Sequence, residues 1–149
     1  MKTREEVLQY GLTFPNTYVD APFHDPNWQL VRVRDHKKAF LWTYERDGNI
    51  CINIKVDPEW RDLWRSTYVA VIPGYHQNKE HWNTVILDSS VPENEIKRMI
   101  AESYDLVTVK GRKSRHQSYI INYGSFFGVA YLRRHTKWRM FISGRKLKK

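Results

Sequence analysis

The sequence predicts an α+β fold in two layers, with helices packed on an antiparallel sheet and a basic extension at the C-terminal end. Two kinds of pattern predict it: helix caps that precede amphipathic segments, and runs of alternating apolar residues typical of strands. The predicted order is α-β-β-β-α-β-β-α. A chain of 149 residues with 41% hydrophobic and 14% aromatic content can bury a core of this kind.

The first two helices are predicted from their caps. Thr3 and Glu6 form a capping box, in which a hydroxyl and a carboxylate accept hydrogen bonds from otherwise unpaired backbone amides, so a helix is expected within residues 3–12. Asp57 followed by Pro58 is typical of the start of a second helix. The residues at helical spacing after it, which are expected to face the core, are Trp60, Leu63, Trp64 and Tyr68.

The strands are predicted from alternation. In residues 49–56 the even-numbered positions are apolar and the odd-numbered ones, including Cys51, form the other face, which indicates a strand with one buried side. Asp47-Gly48 supplies the positive φ angles of a tight turn, so this strand is expected to pair antiparallel with residues 39–46. Further strands are expected at residues 29–34 and 82–87.

The third helix is predicted from a second capping box. Ser90 and Glu93 have the required spacing, and a helix is therefore expected over about residues 91–103. One stripe of this helix is apolar and is expected to pack on the sheet. The residues of the stripe are Ile96, Met99 and Ile100.

Several short blocks of sequence occur in an order that resembles a known family. They are KKAF at 37–40, PGYH at 73–76, NK at 78–79, HWNTV at 81–85 and SYDLV at 103–107. In combination they resemble the MmcQ/YjbR family of small bacterial proteins, over about residues 1–108. The resemblance implies a CyaY-like fold, likened to frataxin and to secretion chaperones and sometimes called a double wing. It also implies a DNA-binding role without a known reaction.

The positive charge of the chain is confined to its C-terminal extension. Residues 1–109 contain 13 Lys+Arg and 16 Asp+Glu, a net charge of −3, whereas residues 110–149 contain 12 Lys+Arg and no acid. We therefore predict a domain at 1–109 and a separate basic, aromatic-rich extension at 110–149. A basic segment of this kind is expected to bind DNA through its phosphates. The alternative is that the segment is an accidental extension, for example from a shifted reading frame or a fusion junction, and both explanations stay open.

Candidate DNA-binding residues lie in a hairpin and in the extension. The hairpin at 32–38 is basic, which suits a phosphate backbone, although a solvated hairpin protecting a sheet edge would also be basic. In the extension, aromatic residues either stack on bases or form a small core with strands at 118–121, 126–132 and 137–142. The candidates are Arg32, Arg34, Lys37, Lys38, Lys79, Arg112, Lys113, Arg115, Arg133 and Arg134.

A second candidate site is the loop at residues 75–79. Pro73 and Gly74 interrupt regular pairing, and the side chains that follow offer hydrogen-bond donors, a positive charge and a stacking face. The alternative is an ordinary connection between strands. A small-molecule or protein-binding module that uses this loop and the sheet face is the alternative to DNA binding. Its candidate residues are Tyr75, His76, Asn78, His81 and Trp82.

No catalytic or metal-binding pattern is recognisable in the sequence. His76 and His81 lack the further ligands that a zinc site requires. Cys51 has no activating neighbour in the sequence. We therefore expect no enzyme activity, no cofactor and no metal. Metal handling is a third hypothesis suggested by the frataxin-like fold, but the first helix contributes only Glu5 and Glu6 as acids.

Cysteine content and hydropathy predict the compartment. The single cysteine excludes an intramolecular disulfide framework. The first residues have no apolar core of the signal-peptide type, and no stretch approaches the length of a membrane-spanning helix. We expect a cytoplasmic protein without membrane association, most simply a monomer.

Overall fold

The computed structural model describes residues 1–109, 119–121, 129–134 and 137–142. The chain divides into two compact units, Met1–Arg112 and Lys113–Lys149. The elements of the first unit are α1 (Arg4–Leu12), β1 (Thr17–Asp20), β2 (Gln29–Val33), β3 (Ala39–Arg46), β4 (Asn49–Lys55), α2 (Pro58–Thr67), β5 (Val71–Pro73), β6 (Trp82–Ile86) and α3 (Glu93–Thr108). Those described in the second are β7 (Tyr119–Ile121), β8 (Val129–Arg134) and β9 (Lys137–Ile142).

The first unit is an α+β fold built on a six-stranded antiparallel sheet. The strand order is β1-β2-β3-β4-β6-β5, and each neighbouring pair is antiparallel. Because side chains alternate along a strand, the register assigns each of them to one of two faces. The face called here the helix-covered face carries the side chains of Val31, Leu41, Thr43, Ile52, Ile54, Asn83 and Val85.

Helix contacts define the helix-covered face. In α1, Gly11 lies so close to the sheet that an added Cβ would be 2.9 Å from Val31 Cγ2. Arg65 of α2 donates a hydrogen bond from Nε to Asn83 Oδ1 at 2.9 Å. α2 and α3 lie side by side, since the guanidinium of Arg98 is 5.2 Å from the centre of the Trp64 ring. All three helices therefore pack on the same side of the sheet.

Several local predictions are confirmed. Thr3 and Glu6 form the reciprocal capping box at the start of α1, and Asp57 caps α2 with Pro58 in the first turn. Asp47 and Gly48 have φ angles of 53° and 76° in the two-residue turn between β3 and β4. Trp60 and Trp64 are buried as predicted, whereas Leu63 and Tyr68 are half-buried. Turn and cap chemistry thus fixed the element boundaries well in this half of the unit.

The predicted class is confirmed, but the predicted order omitted β1. This strand has four residues and begins directly after Pro15 and Asn16, which has a positive φ angle. It is too short for an alternation of apolar and polar residues to identify it. It forms an edge of the sheet by pairing with β2, with Thr17 opposite Val33. Residues 17–20 form a strand because they pair with β2, and the local sequence does not reveal this pairing.

The capping box predicted for α3 is wrong. Ser90 donates its hydroxyl and its backbone amide to Asp88 Oδ1, so it is engaged in a turn before the helix. The helix starts after Pro92, which has no N–H that would need a partner, and no side chain of the described residues caps the helix. It extends five residues beyond the predicted end, because the apolar stripe continues to the buried Val107.

The prediction that β4 has one buried side is also wrong. Cys51 is 2% exposed and Asn53 is fully buried, although both lie on the face opposite the helices. Aromatic side chains from two loops cover this part of the sheet. The second face is therefore a structured surface and not a solvated one.

In the second unit, β7, β8 and β9 form a three-stranded antiparallel sheet. These strands lie where the sequence analysis considered strands, at 118–121, 126–132 and 137–142. The division of function between 1–109 and 110–149 stays a prediction. Within the part of the chain that the structure describes, no helix has both the length and the apolar character needed to cross a membrane.

Candidate functional site

The face of the sheet opposite the helices is rich in aromatic residues. Trp42 and Tyr44 alternate with Leu41 and Thr43 along β3, so their side chains point away from the helices. We call this the aromatic face, and define it by the side chains of Trp42, Tyr44, Cys51, Asn53, Lys55, Trp82 and Thr84.

The connection between β1 and β2 adds two rings to the aromatic face. The ring of Trp28 stacks on Tyr44 with the centroids 4.3 Å apart and stands at 84° to Trp42 with the centroids 6.2 Å apart. The ring of Phe23 also packs beside Trp42, with the two ring centroids 5.8 Å apart. Two indole planes therefore meet at a near right angle, with a third ring beside them.

Asn27 fixes this connection to the sheet. Its side-chain Nδ2 donates to Glu45 O at 3.0 Å, and its Oδ1 accepts from Glu45 N at 2.8 Å, so the amide pairs with the backbone as an additional strand would. Oδ1 also accepts from Arg4 Nη2, which ties the connection to α1. Asp25 Oδ1 accepts from Asn27 N at 2.9 Å. Trp28 is thus held by the residue immediately before it.

A buried polar network holds the second loop, at residues 74–81. Thr84 Oγ1 donates to Asn53 Oδ1 at 2.6 Å and accepts from Tyr75 N at 2.9 Å. Asn53 Nδ2 donates to Tyr75 O at 2.8 Å. Gly74 allows the close approach, because a Cβ there would lie 2.7 Å from Trp82 Cβ. Both backbone polar groups of Tyr75 are therefore fixed by side chains of the sheet.

The two loops and the sheet line an open cavity of about 480 Å³, which we call the aromatic pocket. Its volume lies within the range of small-molecule sites. The residues that line the aromatic pocket are Phe23, Asp25, Trp28, Trp42, His76 and Gln77. Three aromatic walls, a carboxylate and an amide are suited to binding a ligand that combines apolar surface with one or two polar contacts.

The titratable groups beneath the pocket are held in their neutral forms. Burial raises the pKa of Tyr44 to about 12, although its hydrogen bond with Thr84 opposes the shift. Burial also raises the pKa of the Cys51 thiol. A thiol that is 2% exposed with a raised pKa is a poor nucleophile. The aromatic face is therefore suited to binding and has no activated cysteine.

The structure separates the residues that the sequence analysis proposed for the ligand loop. His76 lines the aromatic pocket, and Tyr75 lies behind it with the ring centres 4.1 Å apart. Trp82 meets Trp42 edge to face at 6.3 Å but does not line the pocket. The side chains of Asn78 and His81 are exposed on the turn that leads to β6.

Most of the pocket was not recognisable from the sequence. A signal was present, since Trp42 and Tyr44 are two apart on a strand and must share a face. The position of Trp28 beside them depends on the Asn27 anchor, which no local pattern reveals. Gln77 lies within the predicted loop at 75–79, whereas the lining residues that were not predicted are Phe23, Asp25, Trp28 and Trp42.

The basic hairpin predicted at 32–38 connects β2 and β3, but its arginines have protein partners. Arg32 Nε is 2.6 Å from Asp20 Oδ2, and its Nη1 donates to Lys37 O at 2.7 Å. The guanidinium of Arg34 lies 5.2 Å from the centre of the Tyr18 ring. Lys37 and Lys38 are exposed. The two lysines are the more accessible cations of the hairpin.

The remaining DNA-binding candidates lie elsewhere. Lys79 has an exposed side chain, and its carbonyl accepts a hydrogen bond from Arg65 Nη2. Arg133 and Arg134 belong to β8. Three further candidates lie outside the described residues and are Arg112, Lys113 and Arg115. Among the described residues, no group of three or more His, Cys, Asp or Glu side chains is placed to hold a metal ion.

The geometry defines a class of protein: an α+β domain that carries a preformed aromatic pocket on the face of its sheet opposite the helices. The YjbR family model matches residues 12–106. Together with the relatives described below, this match shows that the chain belongs to the YjbR family, as the blocks of sequence predicted.

Relatives and solved structures agree with this assignment. The chain is 30% identical to YjbR of Escherichia coli (strain K12) over 102 residues, covering 68% of this chain and 84% of the relative. It is 32% identical to YyaQ of Bacillus subtilis (strain 168) over 117 residues, covering 71% of this chain and 98% of the relative.

Two crystal structures are similar in fold. The Deinococcus radiodurans protein DR2400, with a domain called DUF419, has a TM-score of 0.69 and 30% identity, covering 76% of this chain and 84% of that protein. A Pseudomonas syringae protein has a TM-score of 0.63 and 28% identity, covering 70% of this chain and 97% of that protein. The family match ends within the first unit, so the basic extension lies beyond it.

Proposed function

We propose that this protein is a non-enzymatic binding module whose ligand site is the aromatic pocket. The observation that carries the proposal is the cavity of about 480 Å³ with walls formed by Phe23, Trp28 and Trp42. We propose further that it acts as a cytoplasmic monomer without a cofactor. The ligand is a small molecule, or one side chain of a larger partner, with a compact apolar or aromatic group.

Rigid support of the walls favours a binding role. Trp42 is on a central strand, Trp28 follows the anchored Asn27, and His76 follows Tyr75, whose backbone is held by the sheet. A pocket whose side chains are already ordered loses little conformational entropy when a ligand binds. The buried network therefore contributes to affinity as well as to the stability of the fold.

An unsatisfied donor in the wall also supports the proposal. The indole N–H of Trp42 is buried and has no hydrogen-bond partner among the described residues. A buried donor without a partner costs on the order of 1–3 kcal/mol, so it is retained where packing or function requires the ring at that position. For Trp42, the requirement we propose is its place in the pocket wall.

A fragment screen followed by proton–nitrogen NMR correlation spectra tests the proposal. We expect small apolar and aromatic fragments to shift the indole N–H resonances of Trp28 and Trp42. The resonance of Trp64, which is buried on the helix-covered side, should not move. The absence of any fragment that shifts the two pocket indoles would contradict the proposed site.

A matched pair of variants localises the binding. Phe23 is 46% exposed and lines the pocket, so Phe23→Ala should weaken fragment binding without unfolding the domain. Val69 is 97% exposed and does not line the pocket. Val69→Ala removes apolar surface elsewhere and should leave fragment affinity unchanged. Equal effects of the two variants would show that the fragments bind non-specifically.

DNA binding is a second proposed function, and the basic extension is the observation that favours it. The 12 Lys+Arg among residues 110–149, without one acid, are suited to contact several phosphates. The first unit is less suited, because residues 1–109 have a net charge of −3 and Arg32 pairs with Asp20. We propose that any DNA contact is made mainly through the extension.

Fluorescence anisotropy of the full chain with labelled duplex DNA at several salt concentrations tests this second function. Replacing Arg112, Lys113 and Arg115 with Ala should weaken binding to all sequences alike and flatten the plot of log affinity against log salt by about two to three units. Replacing Lys37 and Lys38 should have a smaller effect of the same kind. An unchanged salt dependence in the triple variant would exclude a role for these three residues.

A further inference from the structure

We infer that the aromatic pocket recognises an organic cation of the alkylammonium type, such as a methylated ammonium group. This inference rests on the proposed binding function and specifies the chemistry of the ligand. Three features carry it: the angles between the rings, the charge of the lining residues, and the cations that the protein already places on neighbouring rings.

The rings form a corner suited to a compact cation. The planes of Trp28 and Trp42 stand at 84° to each other, and Phe23 is tilted by 31° from Trp42 at a centroid distance of 5.8 Å. The face of an aromatic ring carries partial negative charge, and indole attracts cations more strongly than phenyl or phenol does. A rounded ammonium group in such a corner contacts more than one ring at the same time.

The charge of the pocket lining selects the sign of the ligand. Asp25 contributes a carboxylate, and the described residues that line the pocket include neither Lys nor Arg. The hydrogen bond from Asn27 N to Asp25 Oδ1 holds the carboxylate in position. Among the described lining residues an anionic ligand would meet this negative charge without a compensating arginine or lysine, whereas an ammonium group would be attracted to it.

Two rings near the pocket already contact cations of the protein itself. The guanidinium of Arg46 lies 4.6 Å from the centre of the Tyr75 ring, and Lys55 Nζ lies 5.7 Å from the centre of Trp82. Among the described residues, no Lys or Arg side chain lies over the ring of Trp28, Trp42 or Phe23. The rings of the pocket thus offer the same attraction to a cation from outside.

The test compares choline with dimethylbutanol, in which carbon replaces the ammonium nitrogen. The two probes have nearly the same shape and differ in charge. NMR titration of the full chain should show choline shifting the indole resonances of Trp28 and Trp42, with an affinity at least about tenfold higher than that of dimethylbutanol. Equal or tighter binding of the uncharged probe would overturn the inference.

Asp25→Asn tests the contribution of the carboxylate. Asparagine keeps an oxygen that can accept from Asn27 N, so the connection should stay folded while the charge is lost. Choline affinity should fall by about three- to tenfold, and dimethylbutanol affinity should not change. Asp35→Asn is the matched control, because it removes an exposed carboxylate that does not line the pocket. An equal loss in both variants would contradict a specific role for Asp25.

The outcomes separate this inference from the proposed function on which it rests. If uncharged fragments bind at Trp28 and Trp42 but choline does not, the pocket is a binding site and the cation inference is wrong. If neither choline nor any uncharged fragment shifts these resonances, both are wrong.

Discussion

The two faces of the six-stranded sheet are buried by different means. The helix-covered face is closed by three helices over mainly aliphatic residues such as Leu41, Ile52 and Ile54. The aromatic face is covered by two loops, and the buried groups beneath them include the polar side chains of Asn53 and Thr84. One face is held by apolar packing between regular elements, and the other by hydrogen bonds that position loops.

This difference indicates a division of roles. Apolar packing contributes most of the favourable free energy of folding and is not directional. Buried hydrogen bonds contribute less to stability but fix groups in one position. The helix-covered face can therefore stabilise the domain while the aromatic face keeps a pocket open. Substitutions on the two faces should separate stability from binding.

The largest effect on stability is expected for Trp64→Ala on the helix-covered side. Trp64 is fully buried and lies beneath the guanidinium of Arg98, so its truncation leaves a large cavity. The free energy of unfolding should fall by about 3–5 kcal/mol, measured by chemical denaturation. The fraction that remains folded should bind pocket ligands normally. A loss of only a few tenths of a kcal/mol would mean that the side chain is not packed in the core.

A smaller effect is expected for Thr84→Val on the aromatic face. This variant removes the acceptor for Tyr75 N and the donor to Asn53 Oδ1. Asn53 Oδ1 keeps its longer hydrogen bond from Tyr44 Oη at 3.3 Å, but the backbone amide of Tyr75 loses this partner. We expect a loss of about 1–3 kcal/mol in denaturation, together with weaker ligand binding as the loop loosens.

Thr43→Val is the matched control on the helix-covered face. The hydroxyl of Thr43 is buried, like that of Thr84, but has no hydrogen-bond partner among the described residues. Its removal should be neutral or stabilising, because no bond is lost and an unsatisfied group is eliminated. If both variants lost the same stability, the network of Thr84 would have no special role.

The alkaline stability of the protein should depend on Tyr44. Burial raises its pKa from 10.0 to about 12, so the folded state retains a proton that the unfolded state releases. The corresponding stability is fully present below about pH 10 and is lost as the pH rises towards 12. Denaturation at about pH 9 and about pH 11 should show a smaller fall for Tyr44→Phe than for the original protein. Equal falls would show that another group is responsible.

The sequence predicted those parts of the fold that are determined by neighbouring residues. The capping box at Thr3, the Asp57-Pro58 helix start and the Asp47-Gly48 turn each depend on contacts within a few positions, and each is confirmed. Strand β1 was missed because its pairing with β2 determines it. The capping box predicted at Ser90 does not form, because the hydroxyl of Ser90 donates a hydrogen bond to Asp88, two residues earlier.

The pocket was predicted only in part for the same physical reason. The loop at 75–79 was recognisable, since Pro73 and Gly74 interrupt the strand and aromatic residues follow. The opposite wall depends on Asn27 pairing with the backbone of Glu45, 18 positions away. Cys51 appeared to lie on a polar face, but it is 2% exposed and lies opposite Tyr44 of the neighbouring strand β3.

The smallest effect on stability is expected for His76→Asn, although it should change binding clearly. His76 is exposed and has a φ angle of 55°, a conformation that asparagine adopts more readily than most residues. The free energy of unfolding should change by less than about 0.5 kcal/mol, as is usual for exposed positions. The imidazole nevertheless lines the pocket, so NMR titration should show weaker ligand binding than in the original protein. A large loss of stability would show that the loop belongs to the folding core, and the two faces of the sheet would no longer have separate roles.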